Sequence, residues 1–468
     1  MKSRKDQVQA YFFVVGRLTA AVAHGDADAI QAPGRRMITG TIFGIMIAVL
    51  LAAIFGIYGL FVPGTDNSWR QAGTIVLDED SGARYLYVDG QLRPVLNYSS
   101  ARLLAPKADG KMVAVSPDSL KGTPVGQPVG ISGAPDALPT SAELDTGAWT
   151  VCVSPESDGG DSKVVTVLIG RPAGGALTDR QAFLVSGPNG TVYLVWNGSR
   201  LRIPDVTALA SLGYGNAKPA PVSAAWLNPI PQGPDLGVPP VPGLGGPGPI
   251  IAGRQSLVGQ IYEVRNAALG TDQLYLIRED GAAAVNRTVA ALVLAAPSTA
   301  QTYPDGPVEP IRVGVAEMAG VPTSGAVLGT GLPASPPELV GDSPETQRCM
   351  RYGTGSADPP VPESLPSDSV RAASVPSATH EAGTAAGRVG VPAGRGVLIT
   401  PKAVPGAPPG PPFLVTPSGM RYPLAGADEL TALGYQNVAP VSVPQELLDL
   451  FPAGPLLSTA AASATAAS

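Results

Sequence analysis

The chain has 468 residues, a net charge of −6, and a composition that is 44% hydrophobic but only 5% aromatic. That length accommodates two to four domains with cores of Val, Leu, Ile and Ala, and the 57 glycines and 50 prolines place Pro/Gly-rich connections between them. No Lys/Arg cluster follows the first forty residues, which argues against nucleic-acid binding, and two distant histidines, His24 and His380, leave little room for a His metal site or a Ser-His-Asp triad.

Residues 1–37 form an arm that carries Lys2, Arg4, Lys5, Arg17, Arg35 and Arg36. Within it Val8, Phe12, Val15, Leu18 and Val22 recur at spacings of three and four, the mark of a helix with one apolar stripe that faces a partner or the lipid surface. Residues 38–62 (ITGTIFGIMIAVLLAAIFGIYGLFV) carry no charge and as a helix reach roughly 37 Å, enough to cross a ~30 Å hydrocarbon core. A signal peptide is excluded by the long polar arm ahead of the run. The basic residues before the span, against Asp66 after it, predict a cytoplasmic N-terminus and an ectodomain beyond the membrane. Tyr58 and Trp69 fall where aromatic rings favour the outer interface.

The ectodomain reads as one unit used four times. YLYVDGQLR (85–93), YLVWNGSRL (193–201), LYLIREDGAA (274–283) and FLVTPSGMR (413–421) each pair an apolar strand with a turn glycine, Gly90, Gly198, Gly281 or Gly419, and a second strand. Two of the units close on Leu-Gly-Tyr, LASLGY and LTALGY, where Gly213 and Gly434 stand just past a helix end. The spacings match repeat one (73–110) with repeat three (259–298), and repeat two (181–228) with repeat four (395–451). Two tandem halves follow, joined by a Pro/Gly linker at 229–253. A flexible insertion is expected at 353–390 and a disordered tail at 452–468.

Cys152 and Cys349 lie at equivalent places in the two halves, within stretches 111–180 and 299–352, on the side of the membrane where disulfides persist. A bond between them is favoured over two free thiols and would constrain the unfolded chain by about 5 kcal/mol in a simple entropy estimate. Around them, residues 128–131, 149–153, 163–169 and 311–315 read as strands of a central β domain. The expected fold class is α+β: an arm and one transmembrane helix, then an elongated ectodomain of four small α/β repeats around that central domain, with pseudo-two-fold symmetry.

No catalytic, cofactor-binding or metal-ligating residues are assigned. There is no GxxxxGK[ST] loop, GGDSKV (159–164) lacks its spacing, and no GxSxG elbow occurs. Asp78, Glu79 and Asp80 read as a solvated loop rather than an acid/base pair. Arg93, Arg200, Arg202 and Arg421 beside Tyr85, Tyr193 and Tyr422 read either as an anion- or sugar-binding set or, on base rates, as solvent-facing strand residues.

Arm, span, four repeats and a cysteine-linked centre together resemble the EccB family of actinobacterial type VII (ESX) secretion systems. The resemblance rests on RMITGTIFG entering the membrane helix, YLYVDGQLRPVLNYSSARLL after it, and the two LGY endings. It implies a single-pass inner-membrane subunit of an oligomeric secretion complex, with other Ecc components, including an EccC-type ATPase, as partners. Repeats similar to a phage lysin's wall-binding fold imply contact with peptidoglycan. The family carries an ATPase label that the absent Walker A loop does not support. An envelope ATPase or wall-acting enzyme, or a free-standing wall-binding anchor, are the alternatives.

Overall fold

The structure is a computed structural model that describes residues 4–25, 34–61, 67–105, 112–155, 163–171, 174–341, 343–353, 359–377, 385–402 and 410–464. It divides into two compact units, the smaller comprising Met1–Ser68 with Asp78–Asp80 and Val115–Gly122, the larger comprising the rest.

In the smaller unit, helix α1 spans Arg4–His24 and helix α2 spans Gly34–Phe61. The expected stripe of Val8, Phe12, Val15, Leu18 and Val22 is exposed, but so are Tyr11, Phe13 and Val14. At 100° per residue, five consecutive apolar residues encircle the helix, so 11–15 form a belt rather than one face. The 28 residues of α2 reach about 42 Å. Its Met37–Ile57 segment has a mean hydropathy of 2.5, is wholly unburied, and is long and apolar enough to cross a membrane.

In the larger unit, alternating apolar residues build four sheets with one strand order: third, second, first, fourth. In chain order the strands are Thr74–Asp78, Arg84–Val88, Gln91–Pro94 and Met112–Val115 in module one; Gln181–Ser186, Val192–Trp196, Ser199–Ile203 and Ala220–Pro221 in module two. Module three has Ile261–Asn266, Thr271–Arg278, Gly281–Val285 and Ile311–Gly314; module four has Val397–Pro401, Phe413–Val415, Arg421–Pro423 and Val441–Val443. In modules two, three and four the fourth strand lies parallel to the first.

Between third and fourth strands each module carries a helix: α3 (Tyr98–Leu104), α4 (Val206–Ser211), α5 (Arg287–Ala295) and α6 (Ala427–Leu433). Three start on a side-chain cap, in which Asn97, Asp205 and Asn286 accept from the amides of Ser100, Ala208 and Val289. After each helix the chain returns beside the third strand and makes the same two-bond clamp. Leu92 donates to the Pro124 carbonyl and accepts from Gly126; Arg200 does so with Pro231 and Gly233, Ala282 with Pro322 and Ser324, and Arg421 with Pro452 and Gly454.

The turn glycines divide. Asp89–Gly90 and Asn197–Gly198 have positive φ at both positions (51° and 76°, 43° and 76°), the two-residue turn that matches strand twist. Gly419 (φ 76°) closes a longer loop in which its own amide donates to Thr416. Gly281 is not a turn residue. It is the first residue of its strand, opposite Arg278, and the turn is made by Glu279 and Asp280. A Cβ there would stand 2.2 Å from the Pro322 carbonyl oxygen, so this glycine admits the clamp strand.

A seven-stranded sheet binds the modules. Its order is Val375–Pro376, Arg388–Gly390, Lys163–Ile169, Trp149–Pro155, Thr346–Tyr352, Val361–Pro366, Gly175–Ala176. Two segments expected there lie elsewhere: Val129 bridges Val95 in module one, and Ile311–Gly314 is module three's fourth strand. Alternation alone cannot tell which sheet an exposed-buried strand joins.

Three supposedly loose stretches are ordered among their described residues. In the 229–253 linker, Gly233 and Leu236 bond to module two's third strand, Leu236 is buried, and Pro247–Ile251 pairs with Arg254–Leu257. The 353–390 insertion contributes three of its strands to the central sheet and a helix, Ser367–Ala372, whose Val370 is buried. In the 452–468 tail, Leu457 is buried and helix α7 (Thr459–Ser463) follows. Proline and glycine are compatible with such edge straps because these need few ladder amides. Trp69, read as an interfacial ring, is buried edge-on against Tyr87 at 5.3 Å.

Replacing Gly281 with Ala is expected to destabilise the fold by about 2 kcal/mol or more, because both its φ of 135° and the Pro322 carbonyl oppose a Cβ. Gly90→Ala, with open space around it, costs only about 1 kcal/mol from its positive φ. Thermal unfolding of the two variants checks the order: Gly281→Ala melts lower.

Candidate functional site

The strands Trp149–Pro155 and Thr346–Tyr352 run antiparallel with Cys152 directly opposite Cys349, and the sulfurs are bonded. Both cysteines are fully buried. Period two sends the neighbours to opposite faces. Cys152 and Cys349 share one face with Leu168, Leu365 and Val370. Trp149, Val151, Val153, Met350 and Tyr352 point to the other, where they pack on Phe183 and Val195 of module two and Ile399, Val415 and Phe451 of module four. Trp149 and Phe451 meet edge to face at 5.5 Å, and Trp226 donates its ring N–H to the Val151 carbonyl. Opposite Cys349 lies Glu363, fully buried, which accepts from Arg351 Nε at 2.5 Å and from the Gly174 amide at 3.2 Å.

The two stretches that follow the cysteines exchange edges. The chain leaving Lys163–Ile169 places Gly175–Ala176 against Val361–Pro366, and the chain leaving Val361–Pro366 places Arg388–Gly390 against Lys163–Ile169. The exchange continues outward. Leu144 bridges Gly396 at the start of module four, while Glu338–Leu339 pairs with the first strand of module two. The two Leu-Gly-Tyr tyrosines close it. Tyr214 donates to the Pro337 carbonyl at 2.6 Å and Tyr435 to the Pro139 carbonyl at 2.7 Å. Burial pushes both hydroxyls well above the ordinary tyrosine range, so they remain donors throughout the physiological range. Gly213 and Gly434, at φ 83° and 86°, end the helices as the sequence implies. Helix α3 packs on α6, and α4 packs on α5.

The arginines instead brace single modules against the chain that returns beside their third strands. Arg200 donates to the Leu227 carbonyl at 3.2 Å, Arg93 to Gln127 at 3.2 Å, and Arg421 to Asp449 at 2.7 Å. Arg202 bonds Asp235, whose carboxyl it holds below the usual carboxylate range. Asp78 ends a strand and accepts from the Asp80 amide, which is turn chemistry. An open depression of about 350 Å³ lies beside Arg202 and Asp205, and another of about 430 Å³ beside Glu263, Asn286 and Arg287. Both caps there, Asp205 and Asn286, are occupied by helix amides. Among the described residues no cluster of three His, Cys, Asp or Glu side chains could hold a metal. GGDSKV lies mostly, and His380 wholly, outside the described residues. What the residues build is an interlocked, cross-linked framework. The clamps were missed in the sequence, although Pro-x-Gly at 124–126, 231–233 and 452–454, with Pro-Thr-Ser at 322–324, recurs after every helix.

An arm, among the described residues one helix long and apolar enough to cross a membrane, and a disulfide-stapled body of repeated small sheets define a membrane-anchored protein of the scaffold class. Residues 2–467 match the family model for the type VII secretion system ESX-1, transport TM domain B, and the chain belongs to this EccB family. Similar proteins include one called ESX-3 secretion system ATPase EccB3 from Mycobacterium tuberculosis, 30% identical over 97% of this chain and 88% of the relative. Another is ESX-1 secretion system ATPase EccB1 of the same species, 28% identical over 98% of this chain and 94% of the relative. Among solved structures, a chain of an intact ESX-5 inner membrane complex superimposes with a TM-score of 0.71 at 24% identity, over all of this chain and 96% of that one. The EccB3 dimer from the ESX-3 core complex gives 0.70 at 27% identity, over 84% of this chain and all of that one.

Replacing both cysteines with Ser is expected to cost about 2–5 kcal/mol of stability, since it leaves two buried hydroxyls and frees the unfolded chain. Tyr214→Phe and Tyr435→Phe each cost about 1 kcal/mol, additively, because the two latches share no partner. Thermal and chemical unfolding of single and combined variants measures these.

Proposed function

We propose that this chain is the structural single-pass membrane subunit of a type VII (ESX) secretion complex, with its arm in the cytoplasm and its body in the periplasm. The observation that carries the reading is the family match across residues 2–467. The orientation draws on two independent features. Six basic residues precede the span, and a disulfide joins the body, as expected on the oxidising side of the membrane.

The body serves as an assembly scaffold, and its four modules are copies of one β-β-β-α-β unit, related in pairs by a pseudo-two-fold axis through the disulfide. The shared strand order, the four clamps, the reciprocal edges and the paired tyrosine latches support that symmetry. Modules one and four then meet as modules three and two do. The belt and stripe of α1, Val8 to Val22, face a partner or the lipid surface. An EccC-type ATPase and other ESX membrane components are the partners, and the modules contact peptidoglycan.

The relatives' names carry the word ATPase. In this sequence no GxxxxGK[ST] loop is present to cradle phosphates. The test is affinity purification of the full chain from its native membrane in mild detergent. Recovery with other ESX membrane components is expected, and recovery alone contradicts the scaffold. ATP hydrolysis by the isolated protein, abolished by one point substitution, would establish the enzymatic reading instead. Absence of co-sedimentation with purified peptidoglycan would remove the wall contact.

A further inference from the structure

Two helix-on-helix contacts join the modules across the molecule, and they are not built alike. Between modules two and three, Leu292 of α5 packs among Ala208, Leu212 and Leu201. The chain leaving module two at Leu236 packs Val241 on module three's core before it enters the Pro247–Ile251 hairpin. Between modules one and four the corresponding residue is Leu457. It bridges Leu424 as Leu236 bonds Arg202, but the chain then turns back as helix α7 and packs on α3. Leu457 and Ala462 are fully buried among Leu103, Leu433 and Tyr435. The Thr459 amide donates to Glu429 Oε1 of α6 at 3.1 Å, and Ser458 caps the helix by accepting from the Ala461 amide at 3.0 Å. Glu429 is itself buried. One short helix thus touches both helices of this contact, whereas at the α4–α5 contact the chain after Leu236 forms no helix and packs Val241 on module three's core.

The segment cannot be helical on its own. Five residues, Thr459–Ser463, fall far short of a self-sustaining helix, and their side chains are methyls and hydroxyls. Its order is conditional on docking, which places it at the low-stability end of the structure. We infer that residues 457–463 are a releasable strap whose docking on α3 and Glu429 sets how firmly module one is held to module four. Module one is the first module after the membrane helix in the chain, so release loosens the body's first element while the central sheet and the α4–α5 contact stay closed. This rests on the chain alone and goes beyond the scaffold reading, because a strap that fails to release leaves the subunit's place in a complex untouched.

Hydrogen–deuterium exchange of the full-length protein in detergent tests it. Three proteins are compared with the parent: a truncation after Leu457, Glu429→Ala, and Glu429→Gln, which keeps an acceptor for Thr459. The expected result is at least tenfold faster exchange of α3 in the truncation and in Glu429→Ala, unchanged exchange of α4 and α5, and near-parental behaviour of Glu429→Gln. Unchanged α3 protection in both disruptive variants overturns the strap. So does faster exchange spread equally over α4 and α5, which would make the segment an ordinary part of the core.

Discussion

The larger unit hangs on the register of one strand pair. Trp149–Pro155 and Thr346–Tyr352 belong to distant parts of the chain, and nothing local brings them together. A slip of one residue would turn Trp149, Val151, Met350 and Tyr352 away from modules two and four and send Thr150, Cys152 and Cys349 into their place. The sulfur–sulfur bond excludes that slip covalently. Opposite Cys349, the buried carboxylate of Glu363 is paired, its two oxygens taken by Arg351 and the Gly174 amide.

With that register set, the rest is exchange. Gly175–Ala176 against Val361–Pro366 and Arg388–Gly390 against Lys163–Ile169 mean that neither half of the body completes its own sheet. The tyrosine latches and the added strands at modules two and four repeat the arrangement farther out. Such an arrangement spreads the contacts between halves over many small elements rather than one patch. It suits a body with few aromatic residues, where no single contact buries much area. The arginines and capping residues add rigidity within each module.

The sequence was most informative where local chemistry dictates local shape. Asp-Gly and Asn-Gly turns, Leu-Gly-Tyr helix ends and an uncharged apolar run of membrane length each have one physical solution, and each was found where expected. The cysteines were legible from their number and place. Apart from that pair, the inferences that failed were those that needed partners distant in the chain. Gly281 looks like Gly90 in a string, yet its glycine is required by the Pro322 carbonyl 41 residues on. Pro/Gly-rich stretches read as linker, insertion and tail because their composition lacks periodicity; their order comes from lying beside strands that were already formed. The stripe on α1 is in fact a belt, because Tyr11, Phe13 and Val14 stand beside the helically spaced Phe12 and Val15 and put apolar side chains on every side of the helix.

The central claim is that the body is one interlocked unit and not two tandem halves that happen to be bonded. Splitting the chain between Gly245 and Gly246 and producing the two fragments separately and together tests it most directly. The account predicts that neither fragment is soluble and protease-resistant alone, and that the co-produced pair is recovered as a disulfide-linked complex with a single cooperative unfolding transition. A first or second fragment that folds by itself, with its own protected core, would contradict it.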